Sequence, residues 1–382
     1  MSDETRDQAL ANPIETTDHN NSGSLVDELI ETVSAETFET WHCEREFARN
    51  IREGTPYFNG PASVKSPQRL SPSSLLQCHR KIAYKQLNAP EESADPEGIF
   101  WVGSKFETDI AVPFLRDAVV GDDEYITNSI WVDFTVETDE GELCIKGETD
   151  PVVVDADARP LLLTEIKTKR SIESVESSSR HHKAQAHAYL KGLSEKYERN
   201  ITDAIILYGS RTTLDIRAFH IEFDPFFWRD VIAKWAATHN KYRLNETLPP
   251  ADPEAEWECD FCSFRTRCGK ADTAHEDIGP VGFIPGYAEY PREKVEEYLN
   301  SHEDAELTPT LAHCYPKLAG TFEVYDWQCA RCETTYQWAK IEVTDDCDTP
   351  LCPSCLSEDT PAPLSGPPPA EQHNLTGGEH DE

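Results

Sequence analysis

The chain has 382 residues, and its 71 acidic against 35 basic side chains give a formal net charge of −36, with the acids scattered rather than gathered in one tail. That is the composition of a protein kept soluble in concentrated salt, and it opposes binding to a polyanion except where basic residues collect locally. No run of 18 apolar residues offers a membrane span and the polar, acidic start has no apolar signal segment, so a cytoplasmic location is expected, where twelve cysteines imply metal ligation rather than disulfides.

Residues 1–33 read as a disordered acidic N-terminus. Helical periodicity over 34–54 makes Phe38, Trp41 and Phe47 its apolar contacts. After a Pro/Gly/Ser-rich loop, a helix is expected over 71–87, with Ser71 as N-cap and Pro72 at the first helical position. A third helix spans 97–120, bent at Pro113. Alternation then takes over, with turn signals at 139–141 and 156–158, and predicts strands over 129–137, 142–154 and 161–167. A helix over 177–195, strands over 203–210 and 214–223, and a helix over 225–244 follow. This order gives an α/β (α+β layered) core within a domain spanning 34–272. Residues 273–318 read as a helix and loop connector, 319–358 as a zinc ribbon and 359–382 as a disordered tail.

The chemistry gathers where the second and third strands end. Asp150 closes the second, and Glu165-Ile166-Lys167 follows an apolar run in the third. Glu165 and Lys167 are two apart and share a strand face. A carboxylate and an ammonium at the end of a buried strand are costly unless they pair or bind metal. Asp150, Glu165 and the Ile166 carbonyl suit Mg²⁺ or Mn²⁺, which would activate a bound water, with Lys167 beside it. Upstream, Gly103 and Glu107 lie at i and i+4 on a helix, and Glu107 is a further acidic ligand. Downstream, Gln185 and Tyr189 have the same spacing on the next helix.

After the last core helix come three cysteines, Cys259-x2-Cys262-x5-Cys268, one short of the four that thiolate metal centres use. Farther on, Cys329-x2-Cys332 and Cys352-x2-Cys355 form two knuckles joined by a strand such as TYQWAKIEV, the pattern of a structural zinc ribbon. Cys347 is near enough to substitute, and Cys43, Cys144 and Cys314 read as ordinary thiols.

Gly103-x3-Glu107, Gly147-x2-Asp150, Glu165-x-Lys167 and Gln185-x3-Tyr189 together resemble the successive motifs of the RecB-like branch of the PD-(D/E)XK nucleases, over about residues 71–268. The resemblance implies an αβββαβ core and metal-dependent DNA cleavage. It makes Asp150 and Glu165 metal ligands, Lys167 the catalytic lysine, Glu107 the acidic group of the first motif, and Gln185 and Tyr189 positioning groups. Its iron–sulfur subgroup, including CRISPR-associated RecB-like exonucleases and the AddB nuclease domain, holds a 4Fe-4S cluster with one cysteine before the core and three after it. By that resemblance Cys78 is the fourth ligand beside Cys259, Cys262 and Cys268. Zinc in the same thiolates is the rival.

Three basic segments flank this site: 78–85, with Arg80 and Lys81; 165–183; and 259–270, with Arg265 and Arg267. They are the expected DNA contacts, with Tyr84, Phe261 and Phe264 available to stack on unpaired bases. The expected partners are DNA and a repair or CRISPR protein. The competing reading is a catalytically silent iron–sulfur and zinc protein that binds DNA or serves as an adaptor.

Overall fold

The computed structural model describes residues 30, 32–33, 35–53, 69–271, 275, 278–343 and 349–372. The chain divides into two units, 1–60 and 61–382. The described part of the first is residues 30 and 32–33 and helix α1, Ala35–Glu53. Phe38, Trp41 and Phe47, expected as its buried contacts, are 64%, 51% and 41% exposed. Trp41 instead takes a guanidinium, with Arg45 5.3 Å from its ring centre. The expected single domain over 34–272 therefore does not include α1, which groups with the first unit.

The second unit is mixed α/β. It opens with β1, Arg69–Leu70, then a 3₁₀ turn, Pro72–Ser74, and α2, His79–Gln86. The helix expected from 71 is thus two pieces. Leu76, at φ 62, breaks them apart and turns Cys78 to the start of α2. Helix α3, Glu97–Phe106, continues through a π turn, Glu107–Ala111, past Val112–Phe114 and into a second π turn, Leu115–Val119. Pro113 stands between the two π turns. The wider turns accommodate its missing N–H, so the helix runs on.

Strands β2, Glu124–Thr127, β3, Trp131–Thr138, β4, Gly141–Glu148, β5, Val152–Asp155, and β6, Pro160–Lys169, come next. Helix α4, Arg180–Lys196, leads to β7, Asp203–Ser210, and β8, Ile216–Glu222. A turn, Pro225–Phe227, and a π turn, Trp228–Ala233, lead into α5, Lys234–Leu244. A five-stranded sheet runs β2-β5-β6-β7-β8, and a three-stranded one β1-β4-β3. β6 and β7 are parallel, joined across α4, while the other pairs of the large sheet are antiparallel.

The strand expected over 142–154 is therefore two strands in different sheets. Pro151 cannot donate to a ladder, and the chain bends at 149–151. The Pro151 carbonyl accepts the Thr164 N–H at 3.1 Å, which hands the chain to the large sheet.

Burial explains the layers. β3 alternates strictly, with Val132, Phe134 and Val136 inward. Ala184, Ala186, Ala188 and Leu190 of α4 pack with them and with Leu163 and Ile206 in one core. Small residues bring α4 close: a β-carbon on Gly192 would stand 2.9 Å from Val132 and Phe134. Gly147 is tighter still, since a β-carbon there would lie 2.7 Å from Pro72 Cδ. Gly147→Ala should cost about 1–3 kcal/mol by overpacking the junction of β4 with the turn before Cys78. Urea unfolding checks this, and an unchanged midpoint would contradict it.

The connector forms its own core. Helices α6, Arg292–Ser301, and α7, Pro309–Cys314, enclose Phe283, Tyr290, Val295, Leu307 and Leu311, all at 0% exposure. Cys314 is disulfide-bonded, against the expectation of an ordinary thiol. A small sheet follows: β9, Trp327–Cys329, central between β10, Thr335–Tyr336, and β11, Leu364–Ser365, with α8, Pro353–Ser357, between the last two in sequence. The long strand expected from TYQWAKIEV is only β10 and a 3₁₀ turn, Trp338–Lys340.

The tail expected to be disordered from 359 is ordered as far as Gln372. Leu364 is fully buried, and the Gln372 amide accepts from Phe283 N–H at 2.9 Å and donates to Phe283 O at 2.8 Å. Polar composition misled here because a single buried amide, satisfied on both sides, anchors the segment. No helix among the described residues is long and apolar enough to cross a membrane.

Candidate functional site

Along β6, Leu163, Glu165 and Lys167 share one face. Ile166 turns to the other, against Phe106, Ala111 and Leu207. Glu165 is fully buried and forms an ion pair with Lys167, whose side chain is 27% exposed. The bend after β4 brings Asp150 over the same strand, where its Oδ2 accepts the Ile166 N–H at 2.6 Å. Glu107, in the π turn of α3, feels the charges of Asp150, Lys167 and Glu148. Its N–H bonds back to the Gly103 carbonyl, so the two stack one turn apart as expected.

From α4, Gln185 hydrogen-bonds to Tyr189, and the Tyr189 hydroxyl donates to the Glu148 carbonyl at 2.7 Å. The folded chain thus brings Glu107, Asp150, Glu165, Lys167, Gln185 and Tyr189 into one locality. Sequence reasoning missed Glu148, which adds a carboxylate beside Glu107, and His181, whose ring lies within reach of Lys167 and Lys81. The His181-His182 pair opening the helix after the charged strand was the available signal.

The electrostatics follow from crowding acids in a dry place. Burial, then the Asp150 charge, pushes Glu165 up to about 8, with Lys167 opposing. Burial and Asp150 push Glu107 up to about 7. Burial raises Asp150 too, offset by Lys167 and the Ile166 N–H. Burial works against the Lys167 ammonium, but Glu165, Asp150 and Glu107 outweigh it and its pKa rises. Neither Glu165 oxygen accepts a hydrogen bond of ordinary geometry. A buried carboxylate left in this condition, within electrostatic reach of two others, could join them in holding a divalent cation, although Glu107, Asp150 and Glu165 do not gather within the 4.8 Å mutual spacing that the Cys329 set meets.

Cys78, Cys259, Cys262 and Cys268 line one small pocket with Arg80, Lys81 and Tyr84. Cys78 arrives from the N-terminal side of the core. Its N–H donates to Glu258 at 3.0 Å across a separation of 180 residues. Burial raises Cys259 and Cys262 and pushes Cys268 up to about 11, so metal loading there must displace protons. These sulfurs do not come within the 4.8 Å mutual spacing that Cys329, Cys332, Cys352 and Cys355 meet, alone among the described residues.

That second set can bind a metal such as zinc. Cys329 and Cys355 Sγ stand 3.7 Å apart, and Cys332 and Cys352 Sγ 3.6 Å. Four thiolates at about 2.3 Å from one tetrahedral Zn²⁺ would be separated by about 3.8 Å. Cys329, Cys352 and Cys355 are buried, and Trp327 and Leu364 close the small core around them. Burial raises Cys352, but the Tyr336 hydroxyl and neighbouring donors bring it down to about 6, poised to ligate as thiolate. Cys347 lies outside the described residues. Cys355→Ser should remove one zinc per chain by metal analysis and loosen this small core. Zinc content equal to wild type would rule the site out. Truncation near Gly320 is a poorer test, because it also strips Gln372 from Phe283.

The expected DNA contacts divide by burial. Arg267 is 0% exposed and donates to Gly279 O at 2.6 Å, Gly282 O at 2.9 Å and Tyr290 OH at 3.1 Å. Arg80 is buried and donates to Pro249 O and Tyr84 OH. Both arginines serve the fold and drop out of any DNA-facing set. Tyr84 and Phe264 pack against one another, 0% and 1% exposed, so neither can stack on a base. Lys81 and Arg265 remain accessible, and Phe261 is 79% exposed.

No family model and no curated protein matches the chain. Among solved structures, that of SSO0001 aligns over 60% of this chain and 96% of its own, with 19% identity and a TM-score of 0.38.

Proposed function

We propose that the chain is a metal-dependent DNA nuclease of the PD-(D/E)XK type, carrying a 4Fe-4S cluster and a zinc ribbon. The observation that carries this reading is the convergence of Asp150, Glu165 and Lys167, with Glu107, at the bend between the two sheets. Asp150, Glu165 and the Ile166 carbonyl would hold Mg²⁺ or Mn²⁺, with Glu107 as a further ligand. The metal when bound supplies a water of lowered pKa and a Lewis acid for the phosphodiester. Lys167 holds a positive charge where the attacking water and the phosphate oxygens meet. Tyr189, tied to Glu148 and Gln185, holds the β4 end and thereby Asp150 in place. Five strands, β2–β6, separate α3 from α4, more than the three of an αβββαβ core, so the reading rests on the residues and not on the strand count.

Cys78, Cys259, Cys262 and Cys268 would hold the cluster. The preference for a cluster over zinc in these thiolates rests on the resemblance to the iron–sulfur subgroup.

The test follows from proton linkage. Folded Glu107 and Glu165 hold protons to about 7 and 8, above the usual carboxylate value near 4.5. Between those values the folded chain binds more protons than the unfolded one, so without divalent metal its stability falls as pH rises. Metal requires the ionised forms and removes this penalty. Mg²⁺ should raise the melting temperature more at pH 8.5 than at pH 6, and cleavage of DNA should stop on chelation and return with Mg²⁺ or Mn²⁺. A metal-induced shift independent of pH, with chelator-resistant cleavage, would refute the site.

A further inference from the structure

An open groove of about 430 Å³ is lined among others by Lys81, Ser179, Arg180, Trp257, Phe261 and His181, the last within electrostatic reach of Lys167. We propose that Trp257 and Phe261 form a base-stacking platform that receives unpaired nucleotides of a DNA strand. This rests on the nuclease reading and assigns a binding role to two residues outside its motifs.

Both rings come from one 3₁₀ turn, Glu256–Phe261, and stand 64% and 79% exposed. Among the described residues neither packs against another aromatic ring, so each keeps a face open to solvent. The groove adjoins the thiol pocket through shared lining residues, Lys81 and Glu258, and comes within electrostatic reach of Lys167 through His181. The two carboxylates in the groove are engaged: Glu258 accepts the Cys78 N–H, and Glu254 pairs with Arg180. Lys81 forms no ion pair among the described residues and is placed to meet a phosphate.

Charge selects the mode of binding. A chain of net −36 gains little from a polyanion, and concentrated salt weakens phosphate contacts further. Stacking of a base on an aromatic face releases no counterions, so it is the part of such binding that salt weakens least. Only unpaired bases can present such faces, so the occupant is single-stranded. Cys259 sits between Trp257 and Phe261 on the same turn, so a metal held by the thiol pocket also fixes the spacing of the two rings.

The experiment uses the full chain with its metals loaded and Lys167→Ala to prevent cleavage. The probe is a fluorescein-labelled oligothymidylate of about twelve nucleotides, within the usual span of single-strand sites. Trp257→Leu and Phe261→Leu, which keep apolar bulk without a π face, should each weaken binding by about 5- to 150-fold, the factor for one stacked base. Tyr at either position should restore most of it. Oligonucleotide should quench tryptophan fluorescence, and Trp257→Tyr should lose that quench. The slope of log affinity against log salt should be no steeper than about −1.5, two phosphate contacts at about 0.7 each.

Leu variants that bind like the parent, or a duplex of the same length that binds better than the single strand, would overturn the platform. The nuclease reading is judged separately, by wild-type cleavage. A chain that cuts DNA while Trp257→Leu binds normally loses only the platform. A chain that cuts nothing, yet loses oligonucleotide binding in the Leu variants, loses only the nuclease reading.

Discussion

Lys167→Ala should abolish metal-dependent cleavage while leaving DNA affinity within a few-fold of wild type. Among the described residues Lys167 is the cation that acts on Glu107, Asp150 and Glu165, and they hold its ammonium charged. On the proposed function its removal would take positive charge from the place where phosphate charge develops, a loss that typically costs about 10²–10³-fold in rate. It also leaves Glu165, fully buried, without its ion-pair partner, which drives that carboxyl further toward the protonated form and weakens its hold on metal. High Mg²⁺ should then recover metal occupancy but not the rate. A variant that cuts at the wild-type rate would show that the chemistry is elsewhere. Binding is measured in parallel because phosphate contacts set affinity, whereas Lys167 would act on the chemical step.

Cys78→Ala should yield a colourless protein, where the wild type prepared without oxygen should be brown and hold about four irons per chain. It should also melt on the order of 10 °C lower. Cys78 and the turn at Cys259 are about 180 residues apart, with the whole β3–α5 core between them. A cross-link closing a loop longer than 100 residues restricts the unfolded chain by on the order of 4–5 kcal/mol. For a domain of this size each kcal/mol is worth about 2–4 °C. The loss should exceed that of an ordinary buried thiol, and Cys144→Ala, a thiol outside the pocket, is the control. An equally brown Cys78→Ala chain would refute the assignment of Cys78.

Much of this architecture was legible in the residues because it obeys local rules. The alternation of β3 and the apolar run of β6 are one-dimensional patterns that burial reads off directly, and the elements predicted over 203–210 and 225–244 coincide with β7 and with the helical run ending at α5. The spacing Glu165-x-Lys167 determined a shared strand face. The pairs Cys329/Cys332 and Cys352/Cys355 foretold two knuckles that meet in space.

What local pattern does not encode is where segments go after they turn. Pro151 splits an apparent strand between two sheets, and that bend, invisible to periodicity, lays Asp150 against the Ile166 N–H. Glu148 acquires meaning only because β4 ends beside α3. Arg80 and Arg267 look like surface charge in a basic segment, yet both satisfy buried carbonyls, because desolvating a guanidinium is tolerable when each N–H finds an acceptor. Gln372, in a tail of low-complexity composition, is held by two hydrogen bonds to Phe283, 89 residues earlier. Residue types and their local spacing set which side chains could do chemistry and on which face of their element they lie. The tertiary structure alone decided which of them share a pocket and which are spent on satisfying the backbone, since both depend on contacts between segments far apart in the chain.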